Sequence, residues 1–247
     1  MRIIFLFIFF FISATTCLSQ TCVIAKVSYR NKDTSIIVGA DTKFGLYTFN
    51  IQKNTIDTTY THGPKIFNRG KITYVTIGYG AGIQRRVADS LCKLNLYTNQ
   101  ITYGYLGQFI DDYIAQVKKQ LLADLADTKK RAPLLYHRIV GKNMSIVSST
   151  VLIYYVGRYP ALLHLLFLVK DPLHIDVQYL WGDVAAGGEL DAIQADLNND
   201  KTWSGDAMAT IRKMLKAEAI ARPDKVGPPF DFCIVHKNKV EMQRQKY

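Results

Sequence analysis

Thr21 and Cys22 set a hydroxyl beside a thiol at the head of an apolar run. Asp41 ends the next such run, and Lys65 opens the short segment Lys65-Ile66-Phe67. Gly80 then follows a third apolar run, and Asp224 stands ahead of the last one. Hydroxyl or thiol, carboxylate, ammonium and a turn glycine are the group types that nucleophilic attack on a carbonyl employs. Taken singly, each has an ordinary reading. Thr21 and Cys22 can be strand residues near a frayed end, Asp41 and Lys65 an exposed turn pair, Gly80 a turn glycine and Asp224 a loop acid. Their order along the chain carries more weight than any one of them. Metal chemistry lacks its spacing, because there is no CxxC and no Cys/His pair at ligand separation, and the 5 histidines are scattered.

The elements that must position these groups follow from hydrophobic period. Residues 22–27 and 36–41 are β-branched apolar runs joined by a polar, turn-rich link, which predicts a hairpin. Residues 55–62 are polar, and 71–77 form a further strand closed by Gly78-Tyr79-Gly80-Ala81-Gly82, a tight strand-to-helix turn. Ile83, Val87, Leu91 and Leu94 recur at helical spacing, as do Leu106, Ile110, Tyr113, Ile114, Val117, Leu121 and Leu125, so two amphipathic helices come in succession. Strands return at 151–156, 161–169 and 175–181, and a helix at 206–220 has Ser204 as its expected N-cap. A hairpin at 231–236 and 239–243 closes the chain. This succession predicts an α+β protein whose antiparallel sheets carry helices on their outer faces.

The N-terminus carries a targeting pattern. Met1-Arg2 supply a positive start, residues 3–12 an unbroken apolar run, and Ser13-Ala14-Thr15-Thr16 a small, polar region. Ten apolar residues fall short of the ~20 that a bilayer span needs, so a cleaved export signal over 1–19 is expected rather than a stable membrane span. Cleavage after Ser19 suits the small-residue requirement and leaves one domain over 20–247. The expected location is periplasmic or secreted. Ala14-Thr15-Thr16 makes a poor lipobox, which argues against lipid anchoring at Cys17. If Cys17 leaves with the signal, Cys22, Cys92 and Cys233 remain, enough for at most one disulfide. Cys92 and Cys233 read as core.

The segments Thr21-Cys22-Val23-Ile24-Ala25-Lys26-Val27, Ile37-Val38-Gly39-Ala40-Asp41, Lys65-Ile66-Phe67 and Thr76-Ile77-Gly78-Tyr79-Gly80-Ala81-Gly82 resemble the opening of proteasome β-type subunits and of the simpler bacterial ring proteases related to them. On this resemblance the chain is identified as an exported bacterial member of the N-terminal nucleophile (Ntn) hydrolase superfamily. The resemblance implies a four-layer αββα sandwich of two antiparallel sheets flanked by helices. It also implies a threonine-type peptidase or amidohydrolase whose nucleophile is Thr21, with its own α-amine as base. Lys65 then stabilises the deprotonated nucleophile, Asp41 orients Lys65, the Gly80 N–H (or that of Tyr79) receives the oxyanion, and Asp224 helps to position the amine. Cys22 is the alternative nucleophile, with packing its more ordinary role.

The chain also departs from that pattern. Ala186, in the small-residue segment 184–188, stands where the family has a serine in a turn, and Gly227 falls near a second family serine. Gln20 replaces the glycine common in self-cleaving precursors, so release of Thr21 calls for another protease or a signal peptidase.

Composition closes off other classes. A chain of 247 residues with 49% hydrophobic residues can bury a sizeable core. The net charge of +11 is spread along the sequence in no dense tract, and no nucleic-acid motif accompanies it, so a solvated basic surface is expected rather than a nucleic-acid partner. No cofactor is implied. The expected partners are a peptide or amide substrate and, by resemblance, further copies in a homo-oligomer. Two competing readings remain: a non-catalytic exported structural or binding protein of the same fold, and a basic module for anionic polymers.

Overall fold

A computed structural model of the chain describes residues 15–19, 21–30, 33–50, 55–94, 103–141, 145–170 and 173–245. The apolar run at 3–12 and Gln20 lie outside the described residues. In chain order the strands are β1 (Thr15–Ser19), β2 (Cys22–Arg30), β3 (Asp33–Asp41), β4 (Lys43–Asn50), β5 (Thr55–His62), β6 (Ile66–Arg69), β7 (Ile72–Tyr79), β8 (Ser145–Val156), β9 (Tyr159–Lys170), β10 (His174–Trp181), β11 (Val184–Gly188), β12 (Phe230–Val235) and β13 (Val240–Gln245). Helices α1 (Ala81–Cys92), α2 (Tyr103–Arg131) and α3 (Pro133–Val140) fall between β7 and β8. Helices α4 (Gln194–Leu197) and α5 (Ala207–Ala221) fall between β11 and β12, with a 3-10 turn at Asp200–Trp203 between them.

Among the described residues the strands form two antiparallel sheets. One runs β10-β9-β8-β7-β1-β4-β5 with β6 on β7, and the other runs β11-β2-β3-β12-β13. The chain is therefore α+β, as its pattern predicts. Period-2 alternation sorts side chains to the two faces of each strand. In the smaller sheet Val23, Ala25, Val27, Ile36, Val38 and Ala40 pack with Val75, Ile77, Val151 and Ile153 of the larger one. The intervening Cys22, Ile24 and Ile37 turn the other way, onto Ile211, Met214 and Leu215 of α5. On the larger sheet Tyr74, Leu152, Tyr154, Leu163, Leu165 and Phe167 meet Phe109, Tyr113, Val117 and Leu121 of α2. Each fully buried Val, Leu, Ile, Met or Phe among them contributes roughly 1.5–3 kcal/mol before conformational entropy is charged.

The structure changes several local expectations. The polar stretch at 55–62 is a strand, β5, held by backbone pairing to β4 from Lys43–His62 to Asn50–Thr55 rather than by burial. Segment 184–188 is also a strand, β11, not a turn, because it pairs with β2 from Val184–Lys26 to Gly188–Cys22. Asp206, not Ser204, caps α5, since its carboxylate accepts from the N–H groups of Met208 and Ala209. Ser204 closes the 3-10 turn before it. Cys92 and Cys233 are buried as expected, and with Cys22 they are free thiols.

Candidate active site

The β2–β3 pairing, with Val23 opposite Ala40, brings the residue ahead of β2 to the residue that ends β3. Thr21 and Asp41 thus meet although 20 residues separate them. Thr21 Oγ1 donates to Asp41 Oδ1, and the Cys22 N–H donates to the same oxygen at 2.9 Å. The Lys43 N–H reaches Asp41 Oδ2 at 3.2 Å. Lys65, just ahead of β6, sends its Nζ to Asp41 Oδ1 at 2.8 Å, to Thr21 Oγ1 and to the Lys43 carbonyl.

All three side chains are withdrawn from water: Thr21 and Asp41 are 0% exposed and Lys65 is 5% exposed. This overturns the exposed-turn reading of the Asp41–Lys65 pair. Burial pushes the Asp41 carboxyl above the usual carboxylate range, while the Lys65 ammonium and the hydrogen bonds to it act in the opposite direction. A buried ion of either sign is costly without its partner, so each holds the other in place.

Cys22 turns away from Thr21, Asp41 and Lys65. Its side chain faces α5 and is 0% exposed. Burial, then the charges of Asp41 and Glu218, drive its thiol well above the ordinary value, which keeps it protonated.

The other two expected residues are placed differently. Gly80 caps α1 with φ 79°, a left-handed conformation in which glycine carries no penalty. It follows Gly78 and Tyr79, which line a cavity together with Thr21. Asp224 is exposed, in the turn after α5. That turn is fastened to the site by its neighbours, through Lys43 Nζ on the Pro223 carbonyl at 2.7 Å and Lys225 Nζ on Glu189 Oε1 at 2.9 Å.

Sequence reasoning missed the residues that hold Thr21 from the β11 side. The Glu189 N–H donates to the Thr21 carbonyl at 2.6 Å. Gly188, at φ 94°, lets the two chains approach so closely that a Cβ there would stand 1.8 Å from the Thr21 carbonyl oxygen. The Gly187-Gly188 pair was a signal for close backbone approach. Nothing local pointed to Glu189, whose carboxylate is met by Lys225 and Arg222 from beyond α5. Ala186 lies in β11 opposite Ile24, so the place beside Thr21 belongs to Gly188 and Glu189. Among the described residues no cluster of three or more His, Cys, Asp or Glu side chains could hold a metal ion. No described helix is long and apolar enough to cross a membrane.

This architecture is that of a proteasome-like α+β fold. The Anbu (ancestral beta-subunit) from Yersinia bercovieri superposes with a TM-score of 0.54 at 13% identity, over 91% of this chain and 86% of that one. The Anbu complex from Pseudomonas aeruginosa, solved as a helical assembly, gives a TM-score of 0.50 at 13% identity over the same shares. No family model matches the chain, and no curated protein does. The expected assignment to the Ntn hydrolase superfamily, as an exported bacterial member, is corrected by these findings. The neighbours are distant, and what they share with this chain is the proteasome-like fold. Short motifs fix the order of elements and their turns, and a fold so specified hosts many functions.

Proposed function

We propose that the chain is a threonine-type hydrolase of amide or peptide bonds, exported behind the leader 1–19 as a single domain, 20–247, to the periplasm or the exterior. Thr21 becomes the nucleophile once the bond before it is cut. The observation that carries this reading is the buried triangle of Thr21 Oγ1, Asp41 Oδ1 and Lys65 Nζ. Apolar clusters on both faces of each sheet support the finer architecture, a four-layer αββα stack.

In the trimmed chain the Thr21 α-amine has a pKa near 8 as a free group, so it accepts a proton at neutral pH. It takes the Oγ1 proton as Oγ1 bonds to the substrate carbonyl carbon, and the Lys65 charge stabilises the oxygen during transfer. The developing oxyanion takes a hydrogen bond from the Gly80 N–H. The C–N bond then breaks, the departing nitrogen receives the proton from the ammonium, and the acyl group remains as an ester on Oγ1. Water loses a proton to the amine and adds to the ester. The C–O bond to Thr21 breaks, the hydroxyl regains its proton, and the acid leaves. Asp41 keeps Lys65 in position throughout. Asp224 enters only as a positioning residue on the turn that Lys43 and Lys225 fasten.

Strand β1 belongs to the leader and lies between β7 and β4, with Ser19 opposite Gly78 and Cys17 opposite Leu46. Its departure leaves two facing strand edges, a fit for an extended peptide. The helical assembly of the Pseudomonas aeruginosa Anbu supports self-association of this chain as well.

A second reading, the same fold as an exported structural or binding protein without chemistry, is favoured by one observation. Asp224 is exposed, and neither Ala186 nor Gly227 offers a hydroxyl to the amine. Mass spectrometry of the exported protein, paired with an amide-hydrolysis assay, separates the two. A chain starting at Thr21 whose activity vanishes in Thr21→Ala supports the hydrolase, activity that survives the substitution removes Thr21 as its nucleophile, and no activity in the correctly trimmed chain favours the structural or binding protein.

A further inference from the structure

The direction in which a free α-amine points from Thr21 is decided by the other arms of its Cα. The side-chain arm is held at Oγ1 by Asp41 and Lys65. The carbonyl arm is held from the β11 side by the Glu189 N–H at 2.6 Å. With both arms fixed, the tetrahedral geometry of Cα fixes the direction of the nitrogen. The amine is thus aimed even though neither Ala186 nor Gly227 carries a hydroxyl.

Glu189 is itself gripped. It opens the link 189–193 between β11 and α4, and the end of α5 holds that link at several points. Buried Glu218 accepts from the Ala192 N–H at 2.9 Å. Arg222 reaches Asp191 Oδ2 at 2.9 Å and Glu189 Oε2 at 3.5 Å. Lys225 Nζ donates to Glu189 Oε1 at 2.9 Å. Arg222 is tied back to the helix by its own N–H on the Glu218 carbonyl at 2.8 Å. The Glu189, Lys225 and Arg222 side chains are 21%, 22% and 34% exposed. Ion pairs so open to water add little to stability, so what this set contributes is the place of Glu189. Glu189 lines the same cavity as Thr21. Its charge also acts on the adjacent Cys22 thiol, after burial and the charges of Asp41, Glu218 and Lys65.

We propose that Glu189, held by Arg222 and Lys225, is the positioning residue for the Thr21 α-amine: its N–H fixes the carbonyl arm, and its carboxylate, balanced by the two cations, sets the charge that the amine meets. This deepens the hydrolase reading of Thr21, on which it rests. An unbalanced carboxylate would favour the ammonium and remove the base, whereas unbalanced cations would favour the neutral amine. The other ionisable groups around Thr21 are Asp41, Lys65, Lys43, Cys22 and Glu218, with Tyr79, Arg138 and His164 on the cavity, Asp191 beside Arg222 and Asp224 on the turn before Lys225. None of these changes in variants at 189 and 225, so a difference between such variants reports this pair.

The test uses the chain trimmed to begin at Thr21 and isotope-labelled there, so that NMR shifts of Thr21 give the α-amine pKa without turnover. Glu189→Gln keeps the N–H on the Thr21 carbonyl and removes only the charge; it should lower the amine pKa by at least about 0.5. Lys225→Met should raise it by a similar amount, and Lys225→Arg should leave it in place. The acid limb of kcat/KM against pH should move with it, down for Glu189→Gln and up for Lys225→Met. Urea midpoints of all three variants should stay near that of the wild-type chain. A merely structural prop would move the amine the same way in Glu189→Gln and Lys225→Met, or not at all, and either result overturns the assignment. Should Glu189→Gln fail to fold, Lys225→Met decides alone, and an amine pKa that does not rise there overturns it. Opposite shifts in a chain that hydrolyses no amide remove the hydrolase and keep the positioning role. Hydrolysis that depends on Thr21, with an amine pKa that ignores both variants, does the reverse.

Discussion

Lys65 Nζ stands 2.8 Å from Asp41 Oδ1 with both side chains almost wholly buried, and Thr21 Oγ1 is hydrogen-bonded to both. In the proposed hydrolase the ammonium that serves Thr21 is therefore also the counter-ion that makes the carboxylate tolerable. Function and stability are coupled at this pair. Removing Asp41 alone strands a buried cation, a loss of about 3–5 kcal/mol, whereas replacing both partners by apolar groups of similar volume comes close to neutral. Asp41→Ala and Lys65→Met should each lower the denaturation midpoint strongly, and Asp41→Leu/Lys65→Met should recover most of that loss while abolishing hydrolysis. Additive single and double losses in urea melts would contradict the coupling.

The approach of β11 to Thr21 is testable by a single methyl. Gly188→Ala places a Cβ on the Thr21 carbonyl and forces a left-handed backbone on alanine. Strain of this kind costs about 1–3 kcal/mol before the clash is relieved. Gly107 in α2 is the contrast: a Cβ there meets nothing within 4 Å. Gly107→Ala should stabilise by about 0.5–1 kcal/mol, because alanine is the better helix former. Calorimetry that found the two substitutions equivalent would refute the close contact.

Cys22, Cys92 and Cys233 are buried, and burial raises all three thiols, Cys92 to about 11 and Cys233 to about 12. Thiolate is the reactive form, so the native trimmed chain should resist a disulfide reagent at pH 8 and release all three thiols on denaturation. Fast reaction of one thiol in the native state would show that at least one of the three is more accessible than its packing allows.

His164 carries a pH signature. Its folded pKa, lowered by burial to about 4 from 6.5, means that the unfolded chain binds the extra proton between those values. Stability should then rise with pH across that window, by about 3 kcal/mol in all, hold above pH 6.5, and be lost as pH falls through 4. His164→Leu should flatten the slope in denaturation midpoints measured from pH 4 to 7. Thr21, Arg138 and Glu189 line the same cavity, so a slope that survived the substitution would have to come from other groups.

Much of the site was legible in the linear order Thr21, Asp41, Lys65, because each residue abuts an apolar run whose period fixes a strand. The exposure of Asp224 was not legible for the complementary reason. It follows a helix and precedes a strand as expected, but a turn's side chains point wherever the turn's own contacts leave them, and here Pro223 and Lys225 make the contacts. Strand β5 was invisible because a polar segment paired through its backbone leaves no hydrophobic signature. Strand β11 read as a turn because glycines that permit close packing look like glycines that permit bends.

The sequence by itself determined the α+β class, the alternation that gives the central strands two apolar faces, and the candidate nucleophile with its lysine and aspartate. Those are local properties, set by period and residue type. Only the tertiary structure decided that Asp41 and Lys65 are buried against Thr21, that Cys22 turns away, that Gly188 and Glu189 rather than Ala186 hold Thr21, and that His164 lines its cavity. Each of those depends on strand register between distant segments, and register emerges from the summed packing of whole faces rather than from any local run of residues.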